Sequence, residues 1–230
     1  MSGPPRPANR LLAALTKKTY TALLPKLEPY ELRYKEIIYQ AGDVIKDVYF
    51  PERGIISLLS AVGEHSTLEV GIVGTEGMAG LPLFLGEKRS NNLALVQGNG
   101  SALKIKAADL LAECGRSDEL PKILRRFAHS LMTQISQSAV CNRYHPVDER
   151  LARWLLMTGD RMRSKEFLIT QEFLSNMLGV RREAVNKSAG ELQQRGLISY
   201  HRGDLVIHNR KGLESTACDC YSVISRSLPA

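Results

Sequence analysis

The sequence predicts an α+β chain: an antiparallel β-barrel of jelly-roll-like order, then a long helix, then a winged helix-turn-helix. Three observations predict this. Between Glu31 and Lys106 short apolar runs alternate with turn residues, from Ala107 the apolar spacing changes to three and four residues, and from Leu168 to Ile207 two helical patterns flank a glycine and lead into a hairpin.

The strand candidates are Glu36-Ile37-Ile38-Tyr39, Val48-Tyr49-Phe50, Ile55 to Leu59, Thr67 to Val73, Leu93 to Val96 and Ala102 to Ile105. Several are rich in β-branched and aromatic side chains, which suit a pleated, half-buried surface. Ala41-Gly42-Asp43, Pro51 to Gly54, Gly63-Glu64, Gly74 and Gly98-Asn99-Gly100 stand between them as turns do. From Leu120 the residues Ile123, Leu124, Phe127, Leu131 and Ile135 recur along one stripe of a helix reaching about Asn142. About 22 residues at 1.5 Å each make it roughly 33 Å long. The stripe has two uses open to it: packing on its own barrel, or pairing with the same helix of a second subunit. His145-Pro146 ends that helix, and Val147 starts another carrying Leu151, Trp154 and Leu155 on one face.

Thr170 is placed to cap a helix from Gln171 to Leu178, whose Phe173, Leu174 and Met177 share a face. Gly179 follows where a tight turn needs positive φ. A second helix from about Arg181 to Arg195 turns Val185, Ala189 and Leu192 inward. Its outward face gathers Arg181, Arg182, Glu183, Asn186 and Lys187 in the N-terminal half, the end that a recognition helix places in a major groove. Arg and Lys donate to guanine, Asn pairs with adenine and Glu accepts from cytosine. A plain solvated face with a Glu183–Lys187 pair is the bland alternative. Leu197 to Tyr200 and Leu205 to Ile207 then form a hairpin with Arg202 near its tip, a wing that would lie against phosphate.

Composition bounds the rest. The 230 residues carry 31 Lys+Arg against 24 Asp+Glu, a net +7, with 43% hydrophobic and 24% charged residues, as an ordinary globular protein does. The excess lies at the ends: +4 in residues 1–20 and +4 in residues 151–230. Basic ends suit an anionic partner such as nucleic acid, although many solvated surfaces are basic too. No run is long and apolar enough to span a membrane, and the start does not read as a secretory leader, so a cytoplasmic protein without membrane attachment is expected. The cysteines, at 114, 141, 218 and 220, show no C-x-x-C spacing, so ordinary reduced thiols and no metal are expected. Histidines at 65, 129, 145, 201 and 208 are scattered, and no hydrolase elbow or phosphate loop occurs, so no catalytic residue is assigned and an enzyme has no support.

The order of barrel, helix and winged helix-turn-helix, with Leu178 to Lys187 and Leu192 to Ile198, resembles the CRP/FNR family of bacterial transcription regulators. The likeness runs from about Leu24 to Leu213, and its most specific part is Gly-x-x-Arg-Glu-x-Val-x-Lys, here Gly179 to Lys187. It implies that Arg182, Glu183 and Lys187 read bases, with Thr170 and Gln171 beside them. It also implies a homodimer seamed by Leu120, Leu124, Phe127, Leu131 and Ile135, and double-stranded DNA and RNA polymerase as partners. Arg181 stands where many members have a Ser or Thr helix cap. The divisions expected are an N-terminal segment 1–22, a sensor barrel 23–118 of cyclic-nucleotide-binding type, a dimerisation helix 119–144, a DNA-binding domain 145–214 and a tail 215–230 that is either a further helix or a disordered end.

In cyclic-nucleotide-binding members a Gly-Glu pair grips the ribose and an Arg-Ser pair the cyclic phosphate. The matching stretch runs from Gly77 to Ser90, and the ribose-binding Glu falls on Gly80. Arg89-Ser90 survives one residue out of place, followed by Asn91 instead of a small apolar residue. Glu76 would supply the missing carboxylate only with the loop rebuilt. A charged hydrogen bond is worth about 1.5–3 kcal/mol, so its loss weakens binding roughly tenfold to a hundredfold, which disfavours cyclic AMP or cyclic GMP. No cysteine precedes Cys114, so an N-terminal iron–sulfur sensor is not expected. The reading is a sequence-specific DNA-binding regulator with an unassigned effector; the alternative is a protein-interaction or ligand-binding module in which the helix-turn-helix is scaffold only.

Overall fold

In the computed structural model, residues 6–62 and 66–229 are described, so the Gly63-Glu64 turn and His65 lie outside the described residues. The chain divides into two compact units, one of residues 1–58, 72–132 and 228–230, the other of residues 59–71 and 133–227.

The first unit begins with α1 (Arg10–Ala13) and α2 (Lys17–Leu23). The N-terminal segment is part of the core: Leu11, Leu12, Leu15, Tyr20 and Leu23 are buried with the sheet residues. Asn9 explains why the backbone turns in. It is fully buried, its amide donates to Pro51 O at 3.0 Å and Gly77 O at 2.9 Å, and its Oδ1 caps α1 by accepting from Leu11 N and Leu12 N. Arg6, Arg10, Lys17 and Lys18, which make up the N-terminal charge, remain exposed.

Strands β1 (Glu28–Leu32), β2 (Ile37–Tyr39), β3 (Asp47–Val62), β4 (Ser66–Val73) and β5 (Leu93–Lys106) form one sheet in the order β1-β5-β3-β4, with β2 also on β5. Both described pairings, β1 with β5 and β2 with β5, are antiparallel. The expected antiparallel domain is present, but its strands follow an open path instead of closing into a barrel. Between β4 and β5, Gly80 takes φ 110° and starts the short α3 (Leu81–Phe84). Helix α4 (Ala107–Arg116) follows β5 directly.

Helix α5 (Glu119–Tyr144) is the long helix. Leu120, Leu124, Phe127 and Leu131, assigned to a dimer seam, are at most 7% exposed and pack into the first unit's own core. Phe127 fills the space beside Gly77 that a Cβ there would need. Of the five only Ile135 is exposed, at 40%.

In the second unit α6 (Val147–Met162) is followed by β6 (Glu166–Leu168), α7 (Gln171–Leu178), α8 (Arg182–Gln194), β7 (Ile198–His201) and β8 (Asp204–Ile207). Strand β6 pairs with β8, so the expected two-stranded wing is a three-stranded sheet of order β6-β8-β7. The three residues of β6 are too short a run for alternation to show. The tail is helical: α9 (Arg210–Thr216) and α10 (Cys220–Ser227). The tip residues 59–71 of the β3–β4 hairpin also belong to this unit, where Glu69 accepts from Trp154 Nε1 at 2.8 Å. Cys141, Cys218 and Cys220 are buried together, because the fold returns the tail to the end of α5.

Candidate nucleic-acid interface

The helix-turn-helix is built as its sequence dictates. Thr170 Oγ1 accepts from Phe173 N at 3.1 Å and caps α7. Gly179 sits at φ 61°, ψ 41°, and donates to Asn176 O, closing the helix in the left-handed conformation that a Cβ makes costly. Phe173, Leu174, Met177, Val185, Ala189 and Leu192 are buried. The inward faces of α7 and α8 are thereby fixed, and so is the face of α8 that points out.

Arg181, Arg182, Glu183, Asn186 and Lys187 are all exposed on that outward face. Arg181 occupies the N-cap position without a side-chain hydrogen bond, so the first-turn N–H groups of α8 keep no side-chain partner. Gln171 connects the two helices: its Nε2 donates to Asn186 Oδ1 at 3.0 Å, and its Oε1 accepts from Arg182 Nε at 3.4 Å. Lys187, 80% exposed, reaches Glu191 at 4.0 Å, a pair directed away from the N-terminal turn. An exposed pair of this kind is weak and leaves the ammonium available.

The wing turn is a two-residue loop with Arg202 at φ 51° and Gly203 at φ 96°, the signs a type I′ hairpin needs. Arg202 is exposed at its tip. Two contacts missed in the sequence position it. Gln193 Oε1 accepts from Tyr200 N at 2.6 Å, and Tyr200 OH donates to Ile169 O at 2.8 Å, linking the end of α8 and the start of α7 to β7. A third missed residue is Arg150, which donates to Asn142 Oδ1 at 2.9 Å and to Leu178 O at the end of α7. None has a signal in periodicity or turn chemistry, since each partner lies on a different element.

Three of the four effector candidates are already hydrogen-bonded within the chain. Glu76 is buried and its Oε1 accepts from Gly74 N at 3.2 Å within its own loop. Gly80 has φ 110° and a Cβ there would meet Val48 Cγ2 at 2.9 Å, so the position excludes the ribose-binding carboxylate on steric grounds. Arg89 is exposed and donates to Gly42 O at 2.6 Å; Ser90 is buried in a turn with Asn92. A cleft of about 450 Å³ in the same unit is lined instead by Tyr39, Asp43, Asp47 and Tyr49. Lys46 also lines it, so charges of both signs are present, and burial pushes both tyrosines up to about 12, so they are neutral donors.

Residues 149–216 match the family model of the Crp-like helix-turn-helix domain. Solved structures with the same fold include FixK2 from Bradyrhizobium japonicum, 16% identical over 84% of this chain and 98% of that one, with a TM-score of 0.71. The c-di-GMP-responsive global regulator CLP of Xanthomonas campestris is 14% identical over 84% and 99%, with a TM-score of 0.69. A CRP-family transcriptional regulator from Thermus thermophilus is 18% identical over 82% and 96%, with a TM-score of 0.69. No curated protein sequence matches this chain.

Proposed function

From a chain that carries a Crp-like helix-turn-helix domain and has the fold of CRP/FNR transcription regulators, we propose a homodimeric regulator that reads a two-fold symmetric DNA site through α8. The carrying observation is the exposed set Arg182, Glu183, Asn186 and Lys187 on one helix end, two of them held by Gln171. Arg182 and Lys187 donate to guanine, Asn186 pairs with adenine, and Glu183 accepts from cytosine. The uncapped N–H groups of α8, Arg181 and Arg202 take phosphate oxygens. With four of the expected seam residues inside the core, the dimer surface moves to the exposed apolar side chains of α5, namely Met132 at 66%, Ile135 at 40%, Val140 at 43% and Tyr144 at 73%. RNA polymerase is a partner in this reading. Among the described residues no helix is long and apolar enough to cross a membrane.

In this reading cyclic AMP and cyclic GMP are disfavoured as the signal received by the first unit. Gly80 leaves no room for the ribose carboxylate, and Arg89 and Ser90 are held by Gly42 and Asn92. Calorimetry with both nucleotides is expected to give no saturable heat, and micromolar binding would overturn this. DNA recognition is tested by selection from pooled random duplexes at two salt concentrations. Enrichment of a symmetric sequence with half-sites about one helical turn apart is expected; a protein using the helix-turn-helix as scaffold alone would enrich nothing.

A further inference from the structure

Three cysteines and a histidine, far apart in the chain, converge in the second unit. Cys141 lies in the last turn of α5 and His145 one helical turn later, so the two project on the same side. Cys218 and Cys220 flank Asp219 where the chain passes from α9 to α10. The three sulfurs and the imidazole nitrogen all lie within 4.8 Å of one another. Cys141 Sγ is 3.4 Å from Cys218 Sγ, and Cys220 Sγ is 3.6 Å from His145 Nδ1.

The two shortest of these separations are close to the edge lengths of a metal-centred tetrahedron. With Zn–S near 2.3 Å and Zn–N near 2.0–2.1 Å, a tetrahedral ion sets S···S edges of about 3.8 Å and S···N edges of about 3.6 Å. The sulfurs are much too far apart for a disulfide, whose bond is about 2.05 Å. They are too close for an iron–sulfur cluster, which spreads its cysteines around several metal atoms.

Charge supplies an independent reason. Arg150 and Arg153 are 6% and 5% exposed, and both interact electrostatically with Cys141. Among the described residues neither forms an ion pair with a carboxylate, and both Nε atoms lack a hydrogen-bond partner. Buried guanidinium groups need a compensating anion. Three thiolates around a divalent ion carry one net negative charge and provide it beside both.

We propose that Cys141, His145, Cys218 and Cys220 form a Cys3His site for one zinc ion, fastening α10 to the end of α5. Four protein ligands leave no open position, so the centre is structural. Its formation releases thiol protons, and its ligands join the end of α5 to a tail that otherwise has few apolar side chains to hold it.

Full-length protein purified with reductant and without chelator is expected to contain about one zinc per chain by elemental analysis. Cobalt(II) added after metal removal should give the visible absorption of a tetrahedral ion with thiolate charge transfer. Cys218→Ser and Cys220→Ser should lose the metal and melt at lower temperature. Cys114→Ser, a change in the other unit, should keep both. Should the site variants not fold, thiol titration of the native protein decides: three thiols should become reactive only on adding chelator. A metal-free native protein without the cobalt spectrum would overturn the proposal. A Cys141–Cys218 disulfide in fresh protein, or an iron–sulfur chromophore, would do the same.

Discussion

Gln171 donates to Asn186 at 3.0 Å across the turn of the helix-turn-helix, and its carbonyl accepts from Arg182 one turn earlier on the same helix. A residue on α7 thus limits the rotamers of two groups on α8 before any duplex is present. Holding them lowers the entropy lost on binding.

Gln171→Ala removes both contacts without touching the buried face. Affinity for the selected operator is expected to fall by about 0.5–1.5 kcal/mol, the net value of a typical hydrogen bond. Melting temperature should hold. Fluorescence anisotropy on selected and random duplexes checks this; an equal loss on both would assign Gln171 to phosphate instead.

Arg202 at the wing tip is assigned to phosphate. Arg202→Ala should weaken binding evenly across sequences and reduce the slope of log K against log salt by about 1. Arg182→Ala should instead cost about 1–3 kcal/mol at one base position and relax preference there. A salt series on selected and scrambled duplexes separates the two.

The exposed side chains of α5 should carry the dimer. Met132→Glu with Ile135→Glu is expected to yield a folded monomer in sedimentation, with operator affinity reduced at least a hundredfold because half-sites no longer bind together. Leu124→Ala should instead lower stability by about 2–5 kcal/mol, since Leu124 is fully buried in the first unit. A double variant that stayed dimeric would return the seam to another surface.

The first unit should lose stability in acid through Glu113. Hydrogen bonds from Lys26 at 2.8 Å and Arg116 at 2.7 Å hold this carboxyl below its usual range, against the opposing effect of burial. A lowered folded pKa means the stabilisation is present at neutral pH and is lost as pH falls through the folded value. Glu113→Gln should therefore be less stable than the parent at pH 7, and the two should converge in acid. Denaturant midpoints from pH 7 to pH 3 measure the difference.

The helix-turn-helix is legible in the sequence because its determinants are local. Thr170, Gly179 and the spacing of Val185, Ala189 and Leu192 each act within a few residues, so cap, turn and inward face follow from the order of amino acids. Once that face is buried, the exposure of Arg181, Arg182, Glu183, Asn186 and Lys187 follows. Three-residue β6 and the contacts of Arg150, Gln193 and Tyr200 have no such local cause.

By itself the sequence determined the strand-rich first part, the long helix, the helix-turn-helix and its wing, because periodicity and turn chemistry act over short distances. Only the tertiary structure decided which surface of α5 was left exposed, since a stripe of Leu and Phe suits a partner helix and its own sheet equally well until Phe127 is seen against Gly77. It also decided that Glu76 and Ser90 bond within their own turns while Arg89 donates to Gly42 O. And it alone brought Cys141 to Cys218, 77 residues away, since ligand spacing along a chain says nothing about atoms the fold later places 3.4 Å apart.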